Sequence, residues 1–304
     1  MERCRSGEEF TLQVLVALVV PAVVLGVIAG LAASKWPRPV EAPAVRAPEL
    51  VAAEARAGAW VTRLQRRVDP TRLTGLALTA ALAVLALGTL GAGLLLRMVD
   101  TGTGFARYDL TFTRFGAEHA SDWTTELMRQ VSQLGGYKGV ILIGILVAAY
   151  EVHRTRRAAV VAFLVVVIGG QYAVAETIKH VVDRTRPDLL NLTGFSGSSF
   201  PSGHATAAAA TFMAVALLLG RGRRPSTRAV LAGAAAGLAG LVAATRVLLG
   251  VHWFTDVLAG MLVGWAWFAL CSIAFGGTLL RFGAPAEEAE EAAEVAVEVR
   301  ELAS

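Results

Sequence analysis

Three short segments hold the residues best equipped for chemistry. "KHVVDRTRPD" contains Lys179, Arg186 and Pro187, "PSGH" runs from Pro201 to His204, and "TRVLLGVHWFTD" contains Thr245, Arg246, His252 and Asp256. Histidine titrates closest to neutrality, so a histidine pair can move protons or supply a nucleophile. His252 and Asp256 are four residues apart, a spacing at which the carboxylate can accept a hydrogen bond from one ring nitrogen. That bond fixes the imidazole tautomer and leaves the other nitrogen free to attack. Lys179, Arg186 and Arg246 add three positive charges. Ser202 suits a helix cap and Gly203 lets backbone approach a ligand. The first amides of the following helix form an anion site, with His204 in the first turn pointing at the same place. Three cations, a helix N-terminus and two histidines describe a site for a phosphate-sized dianion.

The elements that must bring these segments together are membrane spans. The 304-residue chain is 55% hydrophobic and only 17% charged. Its apolar residues come in blocks near the roughly 20 residues a helix needs to cross a bilayer. The blocks predict spans at about 11–34, 73–96, 137–152, 158–178, 204–220, 229–249 and 257–275. The expected fold is an all-α, polytopic membrane helix bundle with a six-span core over 73–275 and one extra N-terminal span in 1–34. Arginines concentrate at 61–72, in "HRTRR" (153–157), in "RGRRPSTR" (221–228) and at Arg281. The positive-inside bias makes that side cytoplasmic. The N-terminus is then outside, the C-terminus inside, and all three polar segments lie at outer ends of spans in the cell membrane. A signal peptide is the rival reading of 11–34, opposed by the length of its apolar run and by Glu2, Glu8 and Glu9.

Other features are less specific. Pro37, Pro39, Pro43 and Pro48 mark an extended linker, and 50–67 reads as an interfacial helix, so 35–72 forms a cytoplasmic connection. The segment 276–304 is an acidic cytoplasmic tail. Trp123, Leu127, Val131 and Leu134 recur at helical spacing and read as a packing face over the spans, with Ser121 or Asp122 as cap. Lys179 and Arg186 share a face if the helix continues to Pro187, which disfavours helix at the residue before it. Gly250 is expected to break the helix between Arg246 and His252. Glu176, just inside a span, is expected to pair with a nearby cation. The spacings Gly233/Gly237 and Gly260/Gly264 permit close helix packing, within one chain or in a homo-oligomer. No metal-ligand cluster can be assembled, Cys4 and Cys271 suggest neither a disulfide nor a thiolate site, and no basic, aromatic-interleaved patch points to nucleic acid.

Taken together, the pattern Lys179…Arg186-Pro187, then Pro201-Ser202-Gly203-His204, then Thr245-Arg246…His252…Asp256 resembles the signature of the type 2 phosphatidic acid phosphatase superfamily. Thr245 stands where that pattern has serine, keeping the hydroxyl. The resemblance implies a cofactor-free phosphatase. His252 would attack phosphorus to give a phosphohistidine, with Asp256 orienting it, and His204 would protonate the leaving oxygen and then activate water. Lys179, Arg186, Ser202, Gly203 and Arg246 would bind the phosphoryl oxygens, with Pro187, Pro201 and Thr245 in support. The implied partners are the bilayer and a lipid phosphate. A lipid could keep its tail in the bilayer while its phosphate enters the pocket, and Trp253 and Phe254 suit that boundary. The first expectation for the substrate is undecaprenyl diphosphate, on a composition rich in arginine and alanine. Phosphatidic acid and phosphatidylglycerol phosphate are alternatives. Competing readings are a vanadate-binding haloperoxidase chemistry, a transporter, and a non-catalytic lipid-phosphate binder.

Overall fold

A computed structural model describes residues 73–188 and 197–275, with side chains from residue 80. The expected first span, the 35–72 connection and the acidic tail lie outside the described residues. Among those residues all regular structure is helical. Val84–Cys271 pack as one unit.

The helices are α1 (Leu73–Thr101), a short 3-10 turn (Gly104–Tyr108), α2 (Asp109–Glu118), α3 (Asp122–Gln133), α4 (Tyr137–Thr155), α5 (Ala159–Val182), α6 (Gly203–Gly220), α7 (Pro225–Leu248) and α8 (Phe254–Phe275). Five of them, α1 and α5–α8, are long and apolar enough to cross a membrane. The α3–α4 pair, bent by 47° at its joint, meets the same criterion only when the two helices are taken together, which brings the candidate spans to six. The chain is therefore a multi-pass membrane protein.

The core is built around α6. Ala205 and Ala207–Ala210 are all buried, as are Thr206 and Phe212. Side chains this small let neighbouring backbones approach closely, the usual basis of helix association where lipid removes the hydrophobic drive. A Cβ on Gly260 would sit 2.7 Å from the Ser202 carbonyl oxygen, and one on Gly264 would sit 2.5 Å from that of Thr206. The Gly260/Gly264 spacing thus serves packing within the chain, α8 against α6. Ala235, Ala239, Val242 and Ala243 of α7 close the same cluster. Further out, a Cβ on Gly88 of α1 would meet the Leu262 carbonyl of α8 at 2.8 Å. Leu87, Leu90 and Leu94 on α1 and Ile141, Leu142, Ile145 and Leu146 on α4 point outward, where a bilayer accepts them.

The arginine-rich turns after α4 and α6 meet at one end. Glu151 of α4, fully buried, pairs there with Arg154 at 3.1 Å and with Arg221 just past α6. His204 begins α6 at the opposite end, 18 residues or about 27 Å away.

The α3 expectation needs correcting in one respect. Ser121 caps the helix through a capping box with Thr124, as expected. However, the buried face of α3 is Thr124, Thr125, Met128 and Ser132, while Trp123 and Leu134 are exposed. The exposed side of α3 also carries Glu126, Arg129, Gln130 and Gln133, and Leu127 and Val131 are half-buried, so only the middle of the expected stripe packs.

Candidate active site

The three segments converge at the end away from the arginine turns. α5 stops at Val182, earlier than the Pro187 argument suggests, with Asp183 in the left-handed region at φ 41°. Aspartate tolerates that conformation better than most residues. Lys179 therefore remains on the helix, whereas Arg186 arrives from the loop that follows. Backbone pairing holds that loop, with the Ser199 amide donating to the Arg184 carbonyl at 2.8 Å. α7 ends at Leu248 and Gly250 adopts φ 69°, which breaks the helix between Arg246 and His252 as expected. The amides of Val251 and His252 fold back onto the Arg246 carbonyl, each at 3.2 Å.

His252 lies almost wholly buried in the turn before α8. Arg186 Nη1 is 3.2 Å from His252 Nε2. An arginine can only donate, so Nε2 carries the lone pair and Nδ1 the proton. That Nδ1 faces Asp256 Oδ2 at 3.5 Å, the outer limit for a hydrogen bond. His252 and Asp256 thus face each other across the turn into α8, at ion-pair distance but without a formed hydrogen bond. Burial pushes the His252 pKa down to about 4, opposed by Asp256 and reinforced by Arg186 and Arg246. The ring is thus held neutral.

Arg246 and His204 interact electrostatically with this ring, and the remaining residues lie at the same end of the bundle. Three backbone carbonyls fix Arg186: Nε donates to Gly197, Nη1 to Val251 and Nη2 to Ser198, at 2.8–3.1 Å. Buried Arg246 donates from Nη1 to Ser132 Oγ at 2.7 Å. Gly203 heads α6, so its amide lies outside that helix's own ladder. Lys179 Nζ lies 3.5 Å from where a Gly203 Cβ would be. It also pairs with Glu176 at 2.6 Å, the partner expected for that carboxylate. Ser202 occupies the cap position but makes no side-chain cap bond; its hydroxyl is buried without a protein partner. The Ser202 amide instead donates to the Asp256 carbonyl at 3.0 Å, stitching the PSGH segment to α8. His204 Nε2 lies 3.4 Å from the Cβ position of Gly136, at the α3–α4 joint. Thr245 turns its hydroxyl back to the Val242 carbonyl at 2.6 Å, and Pro187 and Pro201 are buried walls.

Sequence reasoning missed three contributors. Arg184, inside the quoted first segment, was passed over beside Arg186. It donates from Nη1 to Asp256 Oδ1 at 2.6 Å and from Nη2 to Asp109 Oδ2 at 2.7 Å. Asp109 begins α2, and Ser132 lies on α3. Neither belongs to a recognisable motif, though a lone carboxylate in the aromatic stretch "FARYDLTF" was a signal of a kind. Phe105, Tyr108 and Phe112 from that stretch stand beside Phe254, with the Phe112 and Phe254 ring centres 4.7 Å apart.

A family model described as the PAP2 superfamily matches residues 160–278, the stretch holding all three segments. The chain is 32% identical to phosphatidylglycerophosphatase B of Bacillus subtilis over 154 residues, which are 49% of this chain and 73% of that protein. The chain belongs to the PAP2 superfamily. It is also 32% identical to a lipid A 1-phosphatase of Rhizobium etli, covering 51% of this chain and 72% of the relative. With the decaprenylphosphoryl-5-phosphoribose phosphatase of Mycobacterium tuberculosis the identity is 35%, over 45% and 72% of the two chains. The fold is similar to the crystal structure of a transmembrane PAP2-type phosphatidylglycerolphosphate phosphatase from Bacillus subtilis. The TM-score is 0.59 at 25% identity, over 64% of this chain and 96% of that one. The chain is accordingly a PAP2-type phosphoric ester hydrolase of the membrane.

Proposed function

We propose that this protein removes a terminal phosphoryl group from a membrane lipid through a phosphohistidine on His252. The observation that carries this reading is the His252 imidazole: neutral, with its Nδ1 turned to Asp256 and its Nε2 lone pair turned to the guanidinium of Arg186. In the first step the Nε2 lone pair forms a bond to phosphorus as the bond to the leaving oxygen breaks. His204 gives that oxygen its proton. In the second step water attacks phosphorus, His204 takes its proton, and the P–N electron pair returns to Nε2. Asp256 balances the ring's positive charge between the two steps. Lys179, Arg186, Arg246, the Ser202 hydroxyl and the Gly203 amide receive the phosphoryl oxygens as charge develops on them.

The aromatic group at this end supports a substrate that enters from the bilayer. The site then faces the extracytoplasmic side, away from the arginine turns. A polyprenyl diphosphate, undecaprenyl diphosphate above all, is the first candidate on the composition argument. Phosphatidylglycerol phosphate is the second reading, favoured by the names of the Bacillus relatives. Both present a terminal phosphoryl group on a lipid anchor.

The test is phosphate release by the purified protein in detergent with a chelator present. Undecaprenyl diphosphate, phosphatidic acid and phosphatidylglycerol phosphate would be compared, for the wild type and His252→Ala. Release from at least one lipid, abolished in the variant, is expected. No release from any lipid, or full activity in His252→Ala, refutes the proposal. Sidedness is tested by cysteine labelling at exposed Asp122 and Arg224. Labelling of Asp122→Cys from the cytoplasm would reverse the orientation.

A further inference from the structure

Arg184 and Asp109 are more than incidental neighbours of the site. Asp256 is completely buried, and Oδ2 is already engaged by the Trp253 amide at 2.9 Å and faced by His252. Its other oxygen is held by Arg184. Arg184 is itself constrained on every side. Nη1 also donates to Thr255 Oγ1 at 2.8 Å, its backbone amide donates to Ser198 Oγ, and its guanidinium lies 5.5 Å over the Trp253 ring. Asp109, also buried, receives Nη2 of Arg184 on Oδ2. The same carboxylate accepts the Thr255 amide and hydroxyl, each at 2.8 Å. Hydrogen-bonded ion pairs therefore run Asp109–Arg184–Asp256, from α2 through the loop after α5 to α8, and Asp256 faces His252 at 3.5 Å.

Capping α8 requires only Asp109, which satisfies the Thr255 amide. The arginine between the two carboxylates does something else. It stops the Asp256 carboxylate rotating away from Nδ1. With Asp256 alone it would also cancel the negative charge that His252 needs when it is phosphorylated. Asp109 restores that charge, so the buried group carries a net charge of −1 beneath the imidazole. We propose that Arg184 and Asp109 are positioning residues that hold Asp256 in register with His252 and set the charge the nucleophile feels. This rests on the phosphohistidine reading above.

The charged groups facing His252 are Asp256 from α8, Arg186 from the loop after α5, Arg246 from α7 and His204 from α6. None of them is altered in Arg184→Gln or Asp109→Asn. Removing Arg184 leaves two unbalanced carboxylates near the ring, which favours its protonated form. Neutralising Asp109 removes one negative charge, which disfavours it. The two variants therefore act in opposite directions.

The experiment measures kcat, KM and the pH dependence of kcat/KM for the wild type, Arg184→Gln, Arg184→Lys, Asp109→Asn and His252→Ala, with melting curves for each. For Arg184→Gln, kcat is expected to fall about 10- to 100-fold, the range for losing a charged hydrogen bond. KM should stay within about twofold, because Arg184 is not among the proposed phosphoryl-binding groups. The ascending pH limb should move to higher pH in Arg184→Gln and to lower pH in Asp109→Asn. Arg184→Lys should return the limb towards wild type while recovering only part of kcat. If Arg184→Gln does not fold, the limb of the near-isosteric Asp109→Asn decides. Wild-type kinetics in both variants, or reduced melting temperature and kcat with no opposed shift, overturn the proposal. The phosphohistidine reading fails separately, through an inactive wild type or an active His252→Ala.

Discussion

Gly260→Ala is a small change with a large expected effect. The new methyl would lie 2.7 Å from the Ser202 carbonyl oxygen, 3.1 Å from Thr206 Oγ1 and 3.2 Å from Ala205 Cβ. Ordinary contact begins near 3.4 Å, and the nearest atom is backbone, which no rotamer change can move aside. α8 must therefore retreat from α6 by about 0.7 Å, at an overpacking cost of about 1–3 kcal/mol. The Ser202–Asp256 backbone bond spans this same seam at 3.0 Å. A retreat of that size would stretch it beyond the usual 2.7–3.2 Å range. Ser202, Gly203 and His204 would then separate from His252 and Asp256. Misplacing reacting groups by about 1 Å can cost about 100-fold, so a loss of about 10- to 100-fold in kcat/KM is expected. The assay is phosphate release alongside melting in the same detergent. Gly93→Ala is the control, because a Cβ there meets nothing within 4 Å. Wild-type activity and melting in Gly260→Ala would refute the close-packed seam.

Three further outcomes are expected. Because burial favours the neutral imidazole, His252 takes up a proton only as pH falls towards about 4. The ascending limb of kcat/KM should therefore lie well below the ordinary histidine value of about 6.5, and a limb at or above 6.5 would contradict the burial argument. Ser132→Ala removes the hydroxyl that receives Arg246, at 2.7 Å. Loss of a charged hydrogen bond predicts a drop of about 10-fold or more in kcat/KM, read by steady-state kinetics. Glu151→Ala breaks a buried ion pair and should cost about 3–5 kcal/mol, read as a lower melting temperature. Because Glu151 is at the far end of the bundle, kcat of the folded protein should be unchanged.

The sequence made some of this architecture legible and hid the rest for physical reasons. The spans of α1 and α5–α8 are readable because each is a long apolar block. The positions of His204, His252 and Asp256 follow from helix punctuation: Ser202 before α6, Gly250 after α7, Asp256 in the first turn of α8. Arg184 was hidden because two arginines in one loop look alike until the fold shows one turned to Nε2 of His252 and the other to the far side of Asp256. Asp109 and Ser132 were hidden because nothing local connects them to residues more than 100 positions later. The α3 stripe was half right: Leu127 and Val131 are half-buried, but Thr124, Thr125, Met128 and Ser132 take the side turned to the protein and leave Trp123 and Leu134 exposed. The end of α5 was placed late because Pro187 marks where a helix cannot continue, whereas the left-handed Asp183 is where this one stops.

The alanine wall of α6 has a consequence for descent. Ala205 and Ala207–Ala210 touch neighbours on every side and have almost no volume to give up. Drift in this helix is confined, because nearly every replacement is larger than the space available. The outward leucines and isoleucines of α1 and α4 carry no such restriction. A lineage can therefore remodel the surface that meets the bilayer while inheriting the frame that holds the histidines unchanged.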